Sequence, residues 1–278
     1  MRTIRSASLA LGVIILLGLS PSASARPIQV SNTMWVFQGG WNTRARFFYG
    51  IGQFALHANQ ARSFIGGVQL GLYGSYAKEF AGLFQIGPLN DAKVFMGLAQ
   101  IGGWNVHRRK FAGLGQLGLF NESSGNLIAA FQIGGYNRVH GTFYGALQIG
   151  VVNHTGKREV LGPVQVGLLN WATHDLTSAL GQFGVGNVVD HTFQGPFQVG
   201  VYNTAEIFYG AAQIGGFNYI GDEILGAQIG IANLARSVSG VQIGLFNYAR
   251  KLQGLQIGLV NISRHGGLPF MLIANAGF

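Results

Sequence analysis

The chain of 278 residues contains no cysteine. That excludes disulfides, thiolate metal sites and a lipidated N-terminal cysteine, so an exported form must be held together by packing alone. Charge is also scarce. Asp, Glu, Lys and Arg together make up 10% of the residues, against about 25% in an average soluble domain. Acidic residues are the scarcer sign, 9 against 18 basic, for a formal net charge of +9. Long apolar runs are missing as well. Beyond the N-terminal segment no stretch approaches the roughly 18 apolar residues of a transmembrane helix, so none is expected. What is plentiful is glycine, 45 residues, and phenylalanine, 20. Low charge with high apolar content is the opposite of a disordered composition. It suits a β-rich chain with close backbone contacts, in or near a membrane.

Residues 1–25 read as a secretory signal peptide. Arg2 and Arg5 form a positive start, Leu9 to Leu19 an apolar stretch too short to span a bilayer, and Ala23-Ser24-Ala25 a cleavage site. The mature chain is expected to begin at Arg26. Removing Arg2 and Arg5 leaves 16 basic residues against 9 acidic, a net +7. Such an excess serves either as a solvated rim or as an attraction for anionic headgroups and lipopolysaccharide. Nucleic acid is not an expected partner of an exported protein. Residues 26–52 are an irregular lead-in, with first strands expected at Trp35-Val36-Phe37 and Phe47-Phe48-Tyr49.

From residue 53 to 263 one phrase repeats. Gly240-Val241-Gln242-Ile243-Gly244-Leu245-Phe246-Asn247 is followed by Gly254-Leu255-Gln256-Ile257-Gly258-Leu259-Val260-Asn261. The glutamine returns fourteen times between Gln53 and Gln256, in steps of 14 to 17 residues. A fixed period of this kind marks a repeat architecture. In Ala227-Gln228-Ile229-Gly230-Ile231 apolar residues alternate with Gln and Gly, a strand pattern and not a helical one. An apolar leader, Phe80, Phe95 or Phe111 for instance, opens each copy. Between Arg44 and Arg264 every charged residue lies within six positions after the repeat Asn, or after Gly74, which stands in its place once. These segments read as exposed tips in equivalent surroundings, entered through an Asn that tolerates left-handed φ. Equivalent tips imply two short strands per repeat. About fourteen hairpin units closing into a shallow barrel satisfy this, and so does a β-solenoid of stacked coils. Near the end the repeat shortens to 14 residues, which hairpins absorb as a bulge and a solenoid only by shrinking its perimeter. Hairpins are therefore the expected form. The solenoid is the alternative, and an outer-membrane β-barrel with Gln and Gly lining a lumen the second. Residues 264–278 depart from the repeat and read as a closing strand.

The Gly-x-Gln-Ile-Gly-x-x-Asn phrase, over residues 53–263, resembles that of the surface-repeat proteins of spirochaetes and Bacteroidetes. It is also similar to the shallow symmetric barrels called β-flowers. The resemblance implies an exported protein and carries no activity. Lipid anchoring, known in lipoprotein members, does not carry over to a chain without cysteine. The final Phe278 resembles the terminal aromatic of outer-membrane barrels.

No catalytic constellation stands out, and no enzyme, cofactor or metal site is expected. Gly113-Leu114-Gly115-Gln116-Leu117-Gly118 matches a dinucleotide-binding phrase but lacks the helix such a site requires. His174-Asp175 and Asp190-His191 lie in tips without metal-ligand spacing. Arg108-Arg109-Lys110 is the densest basic cluster and the candidate contact with an anionic surface. Gln100, Gln116, Gln132 and Gln148, with Asn105, Asn121, Asn137 and Asn153, are expected to form a structural ladder of amides. The composition points to a non-enzymatic envelope protein of a Gram-negative bacterium, in the periplasm, the outer membrane or the cell surface. Its role would be structural, surface contact or binding, with the membrane surface, lipopolysaccharide or another envelope component as partner. An integral barrel passing or binding small solutes is the alternative.

Overall fold

The backbone is extended in runs far longer than a flat sheet admits. Phe37–Gly71 and Leu89–Ser123 are each 35 residues of continuous strand, and Phe197–His265 is 69. A straight strand of that last length would reach about 230 Å. Instead the chain winds, and each coil lies on the one before it, parallel and in register. Phe80 pairs with Phe95, Gly82 with Gly97 and Gln85 with Gln100. Gln148, Gln165, Gln182 and Gln198 continue the same like-on-like pairing. The computed structural model describes residues 29–30, 33–34, 36–156, 160–162 and 164–278. Residues 1–25 and Trp35, on which two expectations fell, lie outside them. Over the described residues the protein is an all-β solenoid, about 60 Å long from Gln53 to Gln256 at about 4.8 Å per coil.

This corrects the expected hairpin barrel. A hairpin meander makes neighbouring strands antiparallel and sets each residue against a non-equivalent one. Here each repeat rests on its own equivalent, so identical side chains form columns. Nor is there the lumen of an outer-membrane barrel, because the coil is filled. Four columns fill it. The leaders form the first: Phe48, Phe64, Phe80, Phe95 and Phe111 stack their rings at 4.9, 4.9, 4.8 and 4.5 Å between centroids. Phe143, Phe193, Phe208, Ile224, Val238 and Leu252 continue it, all buried. The second column is Gln, the third Asn. The fourth stands two residues after each Asn and is mostly small: Ala92, Ser123, Thr155, Ala172 and Ala249 are examples, all buried.

The two amide columns are hydrogen-bonded along the whole stack, with opposite polarity. Each Gln donates its Nε2 to the Oε1 of the preceding Gln: Gln116 to Gln100, Gln132 to Gln116 and Gln148 to Gln132, at 2.7, 2.9 and 2.8 Å. Each Asn donates its Nδ2 to the Oδ1 of the following Asn: Asn105 to Asn121, Asn121 to Asn137 and Asn137 to Asn153, at 2.8, 2.9 and 2.9 Å. The second Asn proton goes to a backbone carbonyl of the next coil, as from Asn137 to Ile149 at 2.7 Å. A carbonyl only accepts, so this bond fixes which way the amide faces. The repeat Asn is therefore a buried rung and not a left-handed turn entry. Among the described residues the one non-glycine with positive φ is Ile273. Ser75, not Gly74, occupies the Asn column. It pairs with Asn59 and Asn90, and its hydroxyl donates to the Ile86 carbonyl at 2.9 Å. Asn90 Oδ1 consequently has no partner.

The glycine two residues after each Gln is required by the Asn column. A Cβ on Gly215 would stand 2.1 Å from the Gly200 carbonyl oxygen and 2.6 Å from Asn203 Nδ2. Glycine also solves the shrinking perimeter. In the 14-residue coils one residue is lost between leader and Gln, and Gly226, Gly240 and Gly254 take φ of 144°, 145° and 145° to turn the shortened corner. At the far end Met271–Gly277 lies antiparallel on the last coil, with Asn275 opposite Gln256 and Gly277 opposite Gly254. Asn275 Nδ2 donates to Gln256 Oε1 at 3.4 Å and to the Leu268 carbonyl at 2.8 Å. The closing segment thus ends the stack of coils and not a barrel.

Two stability measurements probe these columns. Gly215→Ala should cost about 1–3 kcal/mol through overpacking. The adjacent Gly216→Ala, whose Cβ would meet nothing nearer than the Val201 carbonyl at 3.2 Å, should stay within about 0.5 kcal/mol. Equal losses in urea denaturation would contradict the inward and outward assignment. His107 sits in the small column, fully buried, with Nε2 against the Ser123 hydroxyl. Burial pushes its pKa down to about 3, against a smaller raising effect of the Asn126 backbone. The unfolded chain takes up this proton near pH 6.5 and the native chain only near 3, so stability falls as pH falls through that window. The slope is up to about 1.4 kcal/mol per pH unit. His107→Val, the residue that Val139 places in the same column, should remove this share. A denaturation midpoint with the same pH slope in both proteins would refute it.

Candidate functional surface

The perimeter of each coil divides into two arcs. One runs from the leader to the Asn and carries no charged residue in any copy from Phe80 to Asn261. The other runs from the Asn to the next leader and carries the charges. Stacking in register turns this division into two continuous surfaces. On the first, the residues facing outward are apolar. One column holds Ile149, Val166, Ile229, Ile243 and Ile257, and the next Leu119, Val151, Leu168, Val185, Val201, Ile231, Leu245 and Leu259. Beside them stand aromatic residues preceding the Asn, among them Trp104, Phe120, Tyr202 and Phe217. All of these are exposed, Leu119, Val201 and Leu259 by 67%, 63% and 63%. Met96, Ile128, Tyr144 and Leu225, following the leaders, extend the apolar arc further. As a flat strip three residues wide, the first arc alone covers roughly 600 Å². That is at the upper end of the largest apolar patch of a soluble monomer, about 300–600 Å².

The expected site residues fall on both surfaces and inside. Gln100, Gln116, Gln132 and Gln148, with Asn105, Asn121, Asn137 and Asn153, are fully buried rungs. They have no access to a ligand. Arg108, Arg109 and Lys110 lie exposed on the charged arc. Arg108 is committed to Asp91, with Nε to Oδ1 at 3.1 Å and Nη2 to Oδ2 at 2.6 Å. That bond and the nearby charge raise its pKa further. Arg109 and Lys110 have no ion pair within 4 Å among the described residues. The densest basic run in the sequence is therefore partly neutralised in the fold.

The remaining motifs resolve into structural roles. Gly113 and Gly118 are column glycines within Leu89–Ser123, with strand and not helix after them. The imidazoles of His174 and His191 meet edge to face at 5.2 Å. Asp175 accepts the Thr192 amide at 3.1 Å, Asp190 accepts the Trp171 indole proton at 3.1 Å, and His191 faces Glu206 at 3.5 Å. Among the described residues no three His, Asp or Glu side chains are grouped to hold a metal ion.

Sequence inspection missed two features. Asn275, which receives the end of the Gln column, lies in a segment with no repeat signal. The other is a column of arginines on the charged arc near the C-terminus. Arg236, Arg250 and Arg264 each stand three residues after a repeat Asn, and that spacing was legible. Compared with family models, with curated proteins and with solved structures, the chain finds no match in any of the three.

Proposed function

We propose that this is a non-enzymatic exported protein of the cell envelope whose solenoid is a surface-contact element, laid by its apolar arc against a lipid or lipopolysaccharide surface. One observation carries the reading: a charge-free apolar surface continuous along the stack, with all charge gathered on the other arc. An amphipathic rod of this kind lowers its free energy by lying at an interface, at about 25 cal/mol per Å² of apolar area removed from water. Basic residues on the adjoining arc add attraction to anionic headgroups. Export through the signal sequence would deliver the chain to such a surface. The resemblance to surface-repeat proteins is in keeping with this role.

The test is flotation of the purified mature protein with lipid vesicles. The native protein is expected to float. A variant carrying Ile231→Glu, Leu245→Glu and Leu259→Glu should remain in the dense fraction. These three positions are exposed, so the variant should keep its β circular dichroism and lose only about 0.5 kcal/mol per site at most. Native protein that stays with the dense fraction as a dispersed monomer would sink the proposal. So would a triple variant that floats as well as the native chain.

A further inference from the structure

We infer that the C-terminal end of the charged arc is a binding site for a ligand bearing two or more phosphate groups. Its core is a column of like charges. Arg236, Arg250 and Arg264 follow Asn233, Asn247 and Asn261, whose amides are bonded in series at 2.9 and 2.8 Å. Ala235, Ala249 and Ser263, one residue before each Arg, are buried in the small column. The three arginines therefore leave the coil at the same point on successive turns, at a backbone pitch of about 4.8 Å. Lys251 and His265 stand one residue further on in their coils. Arg236, Arg250, Lys251, Ser237, His265 and Phe278 border one open groove of about 570 Å³.

Nothing in the surroundings neutralises this column. From Ile224 to Phe278 the chain contains no Asp or Glu. Asp222 faces Arg236 at 3.7 Å. Arg264 lies over the Tyr248 ring at 6.0 Å. Arg250 and Lys251 have no ion pair among the described residues. Elsewhere on the same arc, opposite charges meet across coils, as in Arg108 with Asp91 and His191 with Glu206. Like charges opposed across strands are destabilising, so a column of them needs an anion to offset the repulsion. The guanidinium fork matches the oxygen edge of a phosphate in two-point contact, and Lys251 adds a point charge. Repetition at coil spacing favours a ligand with several such groups over a single ion. The charge geometry carries this inference by itself and does not depend on the apolar arc.

Titration calorimetry with sodium tripolyphosphate tests it, with citrate as the carboxylate control. Native protein should bind tripolyphosphate saturably, and more tightly than citrate. Arg250→Gln with Lys251→Gln should weaken that binding by about tenfold or more, a difference of one decade in Kd. Arg109→Gln with Lys110→Gln, which removes the same net charge elsewhere on the arc, should change it by less than about twofold. Vesicles of phosphatidylcholine with and without phosphatidic acid separate the sources. Gain from phosphatidic acid that the Arg250/Lys251 variant loses identifies a lipid headgroup. Tripolyphosphate binding without that gain identifies a soluble phosphate compound. Absence of saturable binding, equal affinity for citrate, or equal weakening by the two variants would overturn the inference. Thermal melting gives a second reading that needs no ligand. Relief of repulsion should leave the Arg250/Lys251 variant at least as stable as the native protein, and a clear fall in Tm would contradict the strained column.

Discussion

The buried primary amide is the constraint from which the architecture follows. An amide taken from water must find partners for two protons and an oxygen, or cost about 1–3 kcal/mol for each group left bare. Gln and Asn columns meet that demand by giving each amide its own kind as neighbour. The arrangement works only if successive coils are parallel and in register, with a rise equal to the strand spacing. A slip of one residue would point every rung to the outside. Ring stacking of Phe48, Phe64, Phe80, Phe95 and Phe111 at 4.5–4.9 Å reinforces the same rise, and each column thereby holds the others in phase.

Opposite polarity of the two amide columns has consequences at the ends. The Gln column donates toward the N-terminus and the Asn column toward the C-terminus, so their dipoles oppose each other instead of adding over the length of the stack. Each column finishes with one unsatisfied kind of group at each end. At the C-terminal end the antiparallel segment supplies what is missing: Asn275 donates to Gln256, and the Gly258 and Met271 carbonyls accept from Asn261 at 2.9 and 3.4 Å. At the other end the Asn column passes into Ser75, Asn59 and Thr43, and Asn90 Oδ1 is left bare. Glycine carries the cost of this economy. The Gln-x-Gly-x-x-Asn phrase is one packing unit, because a side chain at the glycine would occupy the space of the preceding Asn amide.

Filling the inside with amides changes what is left for the outside. In most globular proteins aliphatic residues are drawn inward. Here Ile, Val and Leu of the repeat alternate with buried Gln and so face out, in columns as regular as those within. Charge is excluded from that arc by sequence and gathered on the other. The rod is amphipathic around its circumference, with an arginine column at one end of its polar side. Both surfaces repeat at coil spacing, which suits extended or multivalent partners over single small molecules.

The repeat, the strand period, the separation of charged from uncharged segments and the pairing of Gln with Gln were all legible in the order of residues, because each is a statement about equivalence under a fixed period. Direction was not legible. A local pattern of alternation is the same whether the next copy runs parallel or antiparallel, and shortening from 16–17 to 14 residues seemed to favour hairpins. Only the tertiary structure decided it, by showing Gly226, Gly240 and Gly254 at φ near +145°, a conformation open to glycine that takes up the lost residue at the corner. In the same way, the sequence by itself determined that Arg108 and Arg250 carry charge in equivalent segments. Which of them is free depended on the coil beneath, since Asp91 reaches one and no carboxylate among the described residues reaches the other.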